Sequence, residues 1–246
     1  MPPPCDSALT LSRPEPVLVA KSHVPTCDLA TGTAGRSVAL AVVLALPDRR
    51  GLRRRLLQLF PGLAACGVGL ALMVRARLGL GPWDVLHQGL STLTGLPIGI
   101  LVILVGLVVL LGWVPLRQRL GIGTVCNALL IGLVIDAVLV VAPEPDRLAT
   151  RWAFLLAGLA LMGLGSGLYI GAGLGPGPRD GLMTGLAARG YSLRLVRTLI
   201  ELSALGAGWA LGGNVGIGTL LFALAIGPLV QLFLDRLTIP APVPAE

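Results

Sequence analysis

The chain has 246 residues, 54% of them hydrophobic and only 13% charged, with a net charge of +7 and a mean hydropathy of +0.86. Apolar runs of about twenty residues, separated by short basic or Pro-containing turns, argue against a water-soluble core and fit a multispan membrane protein. The Arg residues sit at the ends of those runs with no interleaved aromatics, so nucleic acid is not expected as a partner, and the four Cys include no Cys-x-x-Cys pair, so neither a disulfide framework nor a metal site is expected.

In chain order, residues 1–48 carry seven Pro and one apolar run, Val38–Leu46, too short to span and not framed as a signal peptide. This segment reads as a disordered tail, or as residues ahead of a later true start, because the recurring pattern begins only near Leu56. The first span is Leu56–Val74, behind the cluster Arg49, Arg50, Arg53, Arg54 and Arg55. The second is Leu96–Leu116 and the third Ile122–Ala142. Three more follow, Trp152–Leu174, Leu193–Leu211 and Ile217–Ile239, and residues 240–246 form a short tail. The expected fold is an all-α membrane protein of six transmembrane helices.

The six spans fall into two related units, residues 49–142 and 152–239. Sliding residues 60–90 onto 156–186 at a shift of 96 needs no gap and matches 15 of 31 positions. Gly81-Pro82-Trp83-Asp84 returns as Gly177-Pro178-Arg179-Asp180, and at a shift of 95 Gly121-Ile122-Gly123-Thr124 returns as Gly216-Ile217-Gly218-Thr219. Each unit also holds a shorter segment after its first span, Asp84–Gly95 or Asp180–Gly190. At 1.5 Å per residue these reach only about 17–18 Å, against roughly 30 Å of hydrocarbon, so they are read as re-entrant or interfacial half-helices. Their Gly-Pro-x-Asp openings suit helix starts, since Pro lacks an N–H that would be orphaned there and Asp favours the positive end of the dipole. Irregular backbone at membrane depth persists only where protein or a wet cavity covers it, which makes the two turns the expected site.

Three spans per unit is an odd number, so the second unit enters from the opposite face and the repeats are inverted. With the Arg49–Arg55 cluster inside, twelve basic residues lie on the cytoplasmic side and four outside. If the short segments crossed instead, the split would be eleven to five, so segment length and not charge decides for six spans.

Candidate site residues come from the polar groups inside these runs. Asp84 and Asp180, related by the repeat, would face each other and share a proton or hold a cation. The structural alternative is a pair of helix-starting acids, Asp180 beside Arg179 and Asp84 within reach of Arg75 or Arg77. Arg197 and Glu201 form an i,i+4 pair roughly 10 Å into the fifth span, with Val105 at the first unit's place for Glu201. His87, one turn after Asp84, could accept its proton. Asp136, whose counterpart is Gln231, and Asn127 are read either as interhelical bonds or as ligands. Gly163, Gly167, Gly171 and Gly175 make a stripe of small residues for close packing, and Arg75 interrupts the equivalent stripe of the first unit.

The stretches 79–90, 167–172, 177–186, 196–201 and 226–231, among them Gly-Leu-Gly-Pro-Trp-Asp and Gly-Pro-Arg-Asp-Gly-Leu-Met-Thr, resemble the YczE-like, YitT-related bacterial integral membrane proteins across about residues 56–237. The resemblance implies a multi-pass protein of the bacterial plasma membrane and supplies no substrate. No His-Glu-x-x-His, nucleophile elbow or Walker loop is present, so an enzyme is not expected, nor a cofactor. The expected function is a small secondary transporter or facilitator acting on a small molecule or ion between the two Gly-Pro-x-Asp half-helices. The alternative is a membrane-embedded accessory or scaffold protein that binds a partner, or a second copy of itself, through its glycine faces. With the N-terminus cytoplasmic, single Cys probes at positions 95 and 117 should label from opposite faces of the membrane; labelling from the same face would overturn the six-span reading.

Overall fold

In the computed structural model, residues 49–118 and 120–239 are described. The tails read at 1–48 and 240–246 lie outside the described residues. The described chain is helical throughout. Its elements are α1 (Arg49–Ala76), α2 (Pro82–Thr94), α3 (Ile98–Leu111), α4 (Trp113–Leu116), α5 (Ile122–Val141), α6 (Leu148–Gly171), α7 (Pro178–Ala187), α8 (Leu193–Ala210) and α9 (Ile217–Leu237).

Among the described residues, five helical stretches are long and apolar enough to cross a membrane: Gly51–Ala76, Ile98–Leu116, Ile122–Val141, Leu148–Gly171 and Ile217–Leu237. The segment expected as the fifth span is helical as α8, but Arg194, Arg197 and Glu201 give its 18 residues a more polar character than the other five. Both expected short segments are helices, and each begins at its Pro: Gly81 and Gly177 stand as N-caps with the same backbone angles, φ −62 and ψ 157.

The centre is the crossing of α1 and α6, and glycine makes it close. A methyl group at Gly69 would lie 2.6 Å from the Gly158 carbonyl oxygen, and one at Gly158 would lie 2.6 Å from that of Gly69. Two turns away, Gly62 and Gly165 oppose each other in the same way. Side chains there would force the helices apart. Leu59, Leu63, Cys66, Leu70 and Met73 on α1 are buried around this crossing.

α5 lies against α1, with Gly67 beneath Val134, and α9 lies against α6, with Gly163 beneath Leu229 and Gly167 beneath Phe233. The glycine stripe of α6 is therefore covered by the chain's own last helix. Gly175 is not part of that helical face: α6 ends at Gly171, and Gly175 sits in the following turn at φ +125, against Gly121 and Thr124.

After α1 and after α6 the chain turns back into the protein through Gly79-Leu80-Gly81 and Gly175-Pro176-Gly177. Gly79 and Gly175 have φ +113 and +125, a left-handed conformation that side chains disfavour. The first helical turns of α9 and α5 close over these breaks: the Gly218 N–H donates to the Leu78 carbonyl at 2.7 Å, and the Gly123 N–H donates to the Leu174 carbonyl at 2.9 Å. The Thr124 hydroxyl adds a bond to the Pro176 carbonyl at 2.7 Å.

α3 and α8 are held differently. Asp136 on α5 accepts from the Gly99 N–H at 2.7 Å and the Ile100 N–H at 3.1 Å, capping the start of α3, while Gly99 and Gly132 bring α3 and α5 into backbone contact. Asp136 thus caps a neighbouring helix, the interhelical bond that is one of its two readings. Gln231, its counterpart, bonds Asp235 on its own helix, and Gly227, at the place of Gly132, has open space where a Cβ would be. α8 leaves α9 and packs on α2, where Gly208 meets the backbone of Val85 and Leu86. Removing the cap by Asp136→Ala leaves two N–H groups without a partner; this should cost about 2–3 kcal/mol of stability, given charge-assisted bonds of that strength, and lower the melting temperature in detergent. The equivalent change Gln231→Ala should be close to silent.

Candidate functional site

The starts of α2 and α7 converge on one cavity of about 180 Å³ behind the α1/α6 crossing. Gly81, Pro82, Gly177 and Pro178 line it, together with Asp84, Asp180, Arg179, His87, Asn127, Arg197 and Glu201. Of the candidate ligand residues read from the sequence, only Asp136 is elsewhere.

Asp84 is 2% exposed, and its partner is Arg179 from the start of α7, with Nη2 3.4 Å from Oδ1. Arg75 and Arg77 do not reach it. Both bind Glu144, at 2.6 and 3.0 Å, and Arg75 also donates to the Leu139 carbonyl at the end of α5. The guanidinium of Arg179 lies over the Trp83 ring, 5.3 Å from its centroid, so one cation joins the two helix starts through an ion pair and a cation–π contact. The Asp84–Arg179 pair is the contact by which one Gly-Pro-x-Asp start binds the other.

His87 is 1% exposed, and its Nδ1 lies 3.6 Å from Asp84 Oδ1, beyond a hydrogen bond. That nitrogen and the Trp83 indole N–H are buried with no hydrogen-bond partner. Asp180, unlike Asp84, is exposed, and it accepts a hydrogen bond of 3.0 Å from the Tyr169 hydroxyl. The two acids therefore stand in opposite conditions, one buried and one exposed.

Arg197 and Glu201 form their i,i+4 pair at 3.0 Å on the α8 wall. Across the cavity α3 presents Val102, Val105, Gly106 and Val109. At the 95-residue shift of the later parts, Gly106 and not Val105 is the counterpart of Glu201, and Val102 that of Arg197. One wall is charged and the opposite wall is apolar.

Four side chains that matter here were not singled out from the sequence. Tyr169 is the hydrogen-bond partner of Asp180, and its signal was a lone hydroxyl in an apolar run, which needs a partner when buried. Trp83 sat in plain view inside the motif. Trp113 donates its indole N–H to the Pro178 carbonyl at 3.0 Å and fills the space left by Gly181, so it seats α7; nothing local distinguishes it from a membrane-interface Trp. Arg55, counted among the basic cluster, is only 7% exposed and donates to the Ala172 carbonyl at 2.7 Å.

The model for a family of unknown function, DUF6198, matches residues 53–235, which takes in every helix that builds the cavity. The chain belongs to this family. Among its relatives, an "Uncharacterized protein" of Haemophilus influenzae is 41% identical over 75% of this chain and 85% of its own. The "Uncharacterized membrane protein YczE" of Bacillus subtilis is 35% identical over 72% and 84%, and the "Uncharacterized protein YyaS" of the same organism is 29% identical over 70% and 89%. No solved structure matches the chain. The resemblance to YczE-like membrane proteins read from the motifs is thereby borne out, and the DUF6198 match includes both Gly-Pro-x-Asp starts.

Removing Arg179 leaves Asp84 buried without its cation. Arg179→Ala should cost about 2–3 kcal/mol, below the full penalty for a broken buried pair because the guanidinium is partly exposed. Adding Asp84→Asn should recover most of that loss in a double-mutant cycle read by thermal unfolding in detergent.

Proposed function

We propose that this DUF6198 protein is a small secondary transporter or facilitator of six spans, α8 being the fifth, in a bacterial plasma membrane and with its N-terminus cytoplasmic. In this reading two related three-span halves lie in the bilayer with opposite orientation, and the substrate site is the cavity between the two half-helix starts. The observation that carries it is that one cavity gathers Asp84, Asp180, Arg179 and His87 from segments about a hundred residues apart. Charged groups inside an apolar bundle are costly and are kept where a ligand, proton or ion uses them.

Three further observations support the reading. The close contacts come in pairs related by the repeat: Gly69 with Gly158, Gly62 with Gly165, and the Leu78 and Leu174 clamps at the starts of α9 and α5. At 18 residues α8 measures about 27 Å, near the thickness of the hydrocarbon, and the Arg197–Glu201 pair offsets two of its charges. The unequal state of the two acids also fits a carrier in one of two conformations, with Asp84 buried and Asp180 accessible. In the other, α3 would move toward Asp180 and α8 would release Asp84.

The scaffold reading is less favoured, because the glycine face on which it depends is covered by α9. The transporter reading involves no enzymatic step. It is tested in proteoliposomes carrying an entrapped pH dye, under an imposed membrane potential and with a yeast-extract solute mixture outside. Asp84→Asn together with Asp180→Asn should reduce proton-coupled flux by at least about tenfold, as expected when intramembrane acids carry the coupling; unchanged flux would remove them from the mechanism.

A further inference from the structure

The full charges around the cavity do not balance. Asp84, Asp180 and Glu201 line it with carboxylates, against the guanidinium groups of Arg179 and Arg197. Arg179 pairs with Asp84 and Arg197 with Glu201, which leaves Asp180, among the described residues, with no basic group within 4.0 Å. The imidazole of His87 is buried on the side of Asp84. Asp180 stands in the first turn of α7, but a helix end amounts to about half an elementary charge and offsets the acid only in part. Its neighbours add acceptors. Measured from the point where a Cβ on Gly177 would sit, Asp180 Oδ2 lies at 3.1 Å, the Tyr169 hydroxyl at 3.2 Å and the Asn127 side-chain amide at 3.7 Å. The Tyr169 proton is given to Asp180, so the phenol oxygen keeps its lone pairs for a donor, and the Asn127 amide presents its carbonyl oxygen by a half-turn of its end group.

We infer that the cavity binds a small primary ammonium ion with an apolar body, seated on Asp180. The N–H donors of one ammonium nitrogen match the acceptors gathered beside Gly177, and its single positive charge answers the unmatched carboxylate. The body lies against the apolar part of the wall, Val102, Val105 and Val109 of α3 and Phe222 of α9. An inorganic ion suits the place less: among the described residues no group of three His, Cys, Asp or Glu could hold a metal, and a bare ion would leave the apolar wall unused. A ligand carboxylate would find both guanidinium groups already paired and would stand near Asp180, and such unpaired or repelled groups are what a site uses to reject a ligand. Size agrees: a protein cavity of roughly 150 Å³ holds the six carbons of benzene, so about 180 Å³ takes about seven heavy atoms in proportion. This inference rests on the transporter reading and names the substrate class for the same cavity.

The test is binding to the purified full chain in nanodiscs, by calorimetry at constant ionic strength with the heat of empty nanodiscs subtracted. The probes are isopentylamine, isopentyl alcohol, 3-methylbutanoate and ethyltrimethylammonium, which are similar in size and differ in charge or in N–H donors. Isopentylamine should bind, and each of the others should bind about tenfold more weakly or worse, as expected when a polar contact is lost. Asp180→Asn should weaken isopentylamine by about tenfold and Asn127→Ala by several-fold. Unchanged size-exclusion profiles identify folded variants. The inference is overturned if the alcohol, the carboxylate or the quaternary ion binds as tightly as the amine, if folded Asp180→Asn protein binds the amine unchanged, or if the folded wild type does not bind it. Aspartate-dependent flux without amine binding discards the ammonium ion and keeps the transporter; amine binding without aspartate-dependent flux keeps the site and discards the transporter.

Discussion

Two interruptions of helix, at residues 77–81 and 172–177, run back into an apolar interior, and their backbone groups must be satisfied without water. Much of the rest of the architecture follows from how this is done. The first turn of α9 supplies an N–H to the break after α1, and the first turn of α5 supplies one to the break after α6. The starts of α9 and α5 thus complete the irregular segments after α1 and α6, and the two Gly-Ile-Gly-Thr sequences are explained by it. Gly216 and Gly121 allow the backbones to meet, while Thr219 and Thr124 cap their own helix starts and leave N–H groups free to donate outward.

With the breaks held, the starts of α2 and α7 are fixed in the interior, and the charged residues next to each Pro are brought within reach of one another. Arg179 then does for Asp84 what no group nearer in sequence does. The occupant of the third motif position differs between the copies, Trp83 in one and Arg179 in the other, and the difference is what lets them stack. An identical pair would place either two cations or two indoles at the junction. A difference of one residue makes two similar turns complementary.

The different placements of α3 and α8 also have local causes. Asp136 ties α3 to α5, whereas Gln231 turns to its own helix and α8 is free to lie on α2. Gly208 permits that approach, and Trp113, its counterpart by position, instead fills the space at Gly181. One carboxylate is therefore covered and the other is open, a difference that arises from helix placement and not from the acids themselves.

The helices, the apolar character of five long stretches, the Pro-initiated short helices and the family were legible in the sequence, because length, hydropathy and the preference of Pro for a first helical turn are properties of a local segment. The charged and amide residues that line the cavity were legible too, since a charge or an amide inside an apolar run is conspicuous wherever the run finally packs. What only the tertiary structure decided was partnership. Arg75 and Arg77, close to Asp84 in sequence, turn to Glu144, while Arg179 crosses 95 positions to meet it. Asp136, equally conspicuous, caps a neighbouring helix, and the α6 glycines that could have met a partner protein meet α9. The physical reason is common to all of these. A polar side chain withdrawn from water must find a complementary group, and sequence reveals that need, but the identity of the group depends on which helix faces which across the packed interior.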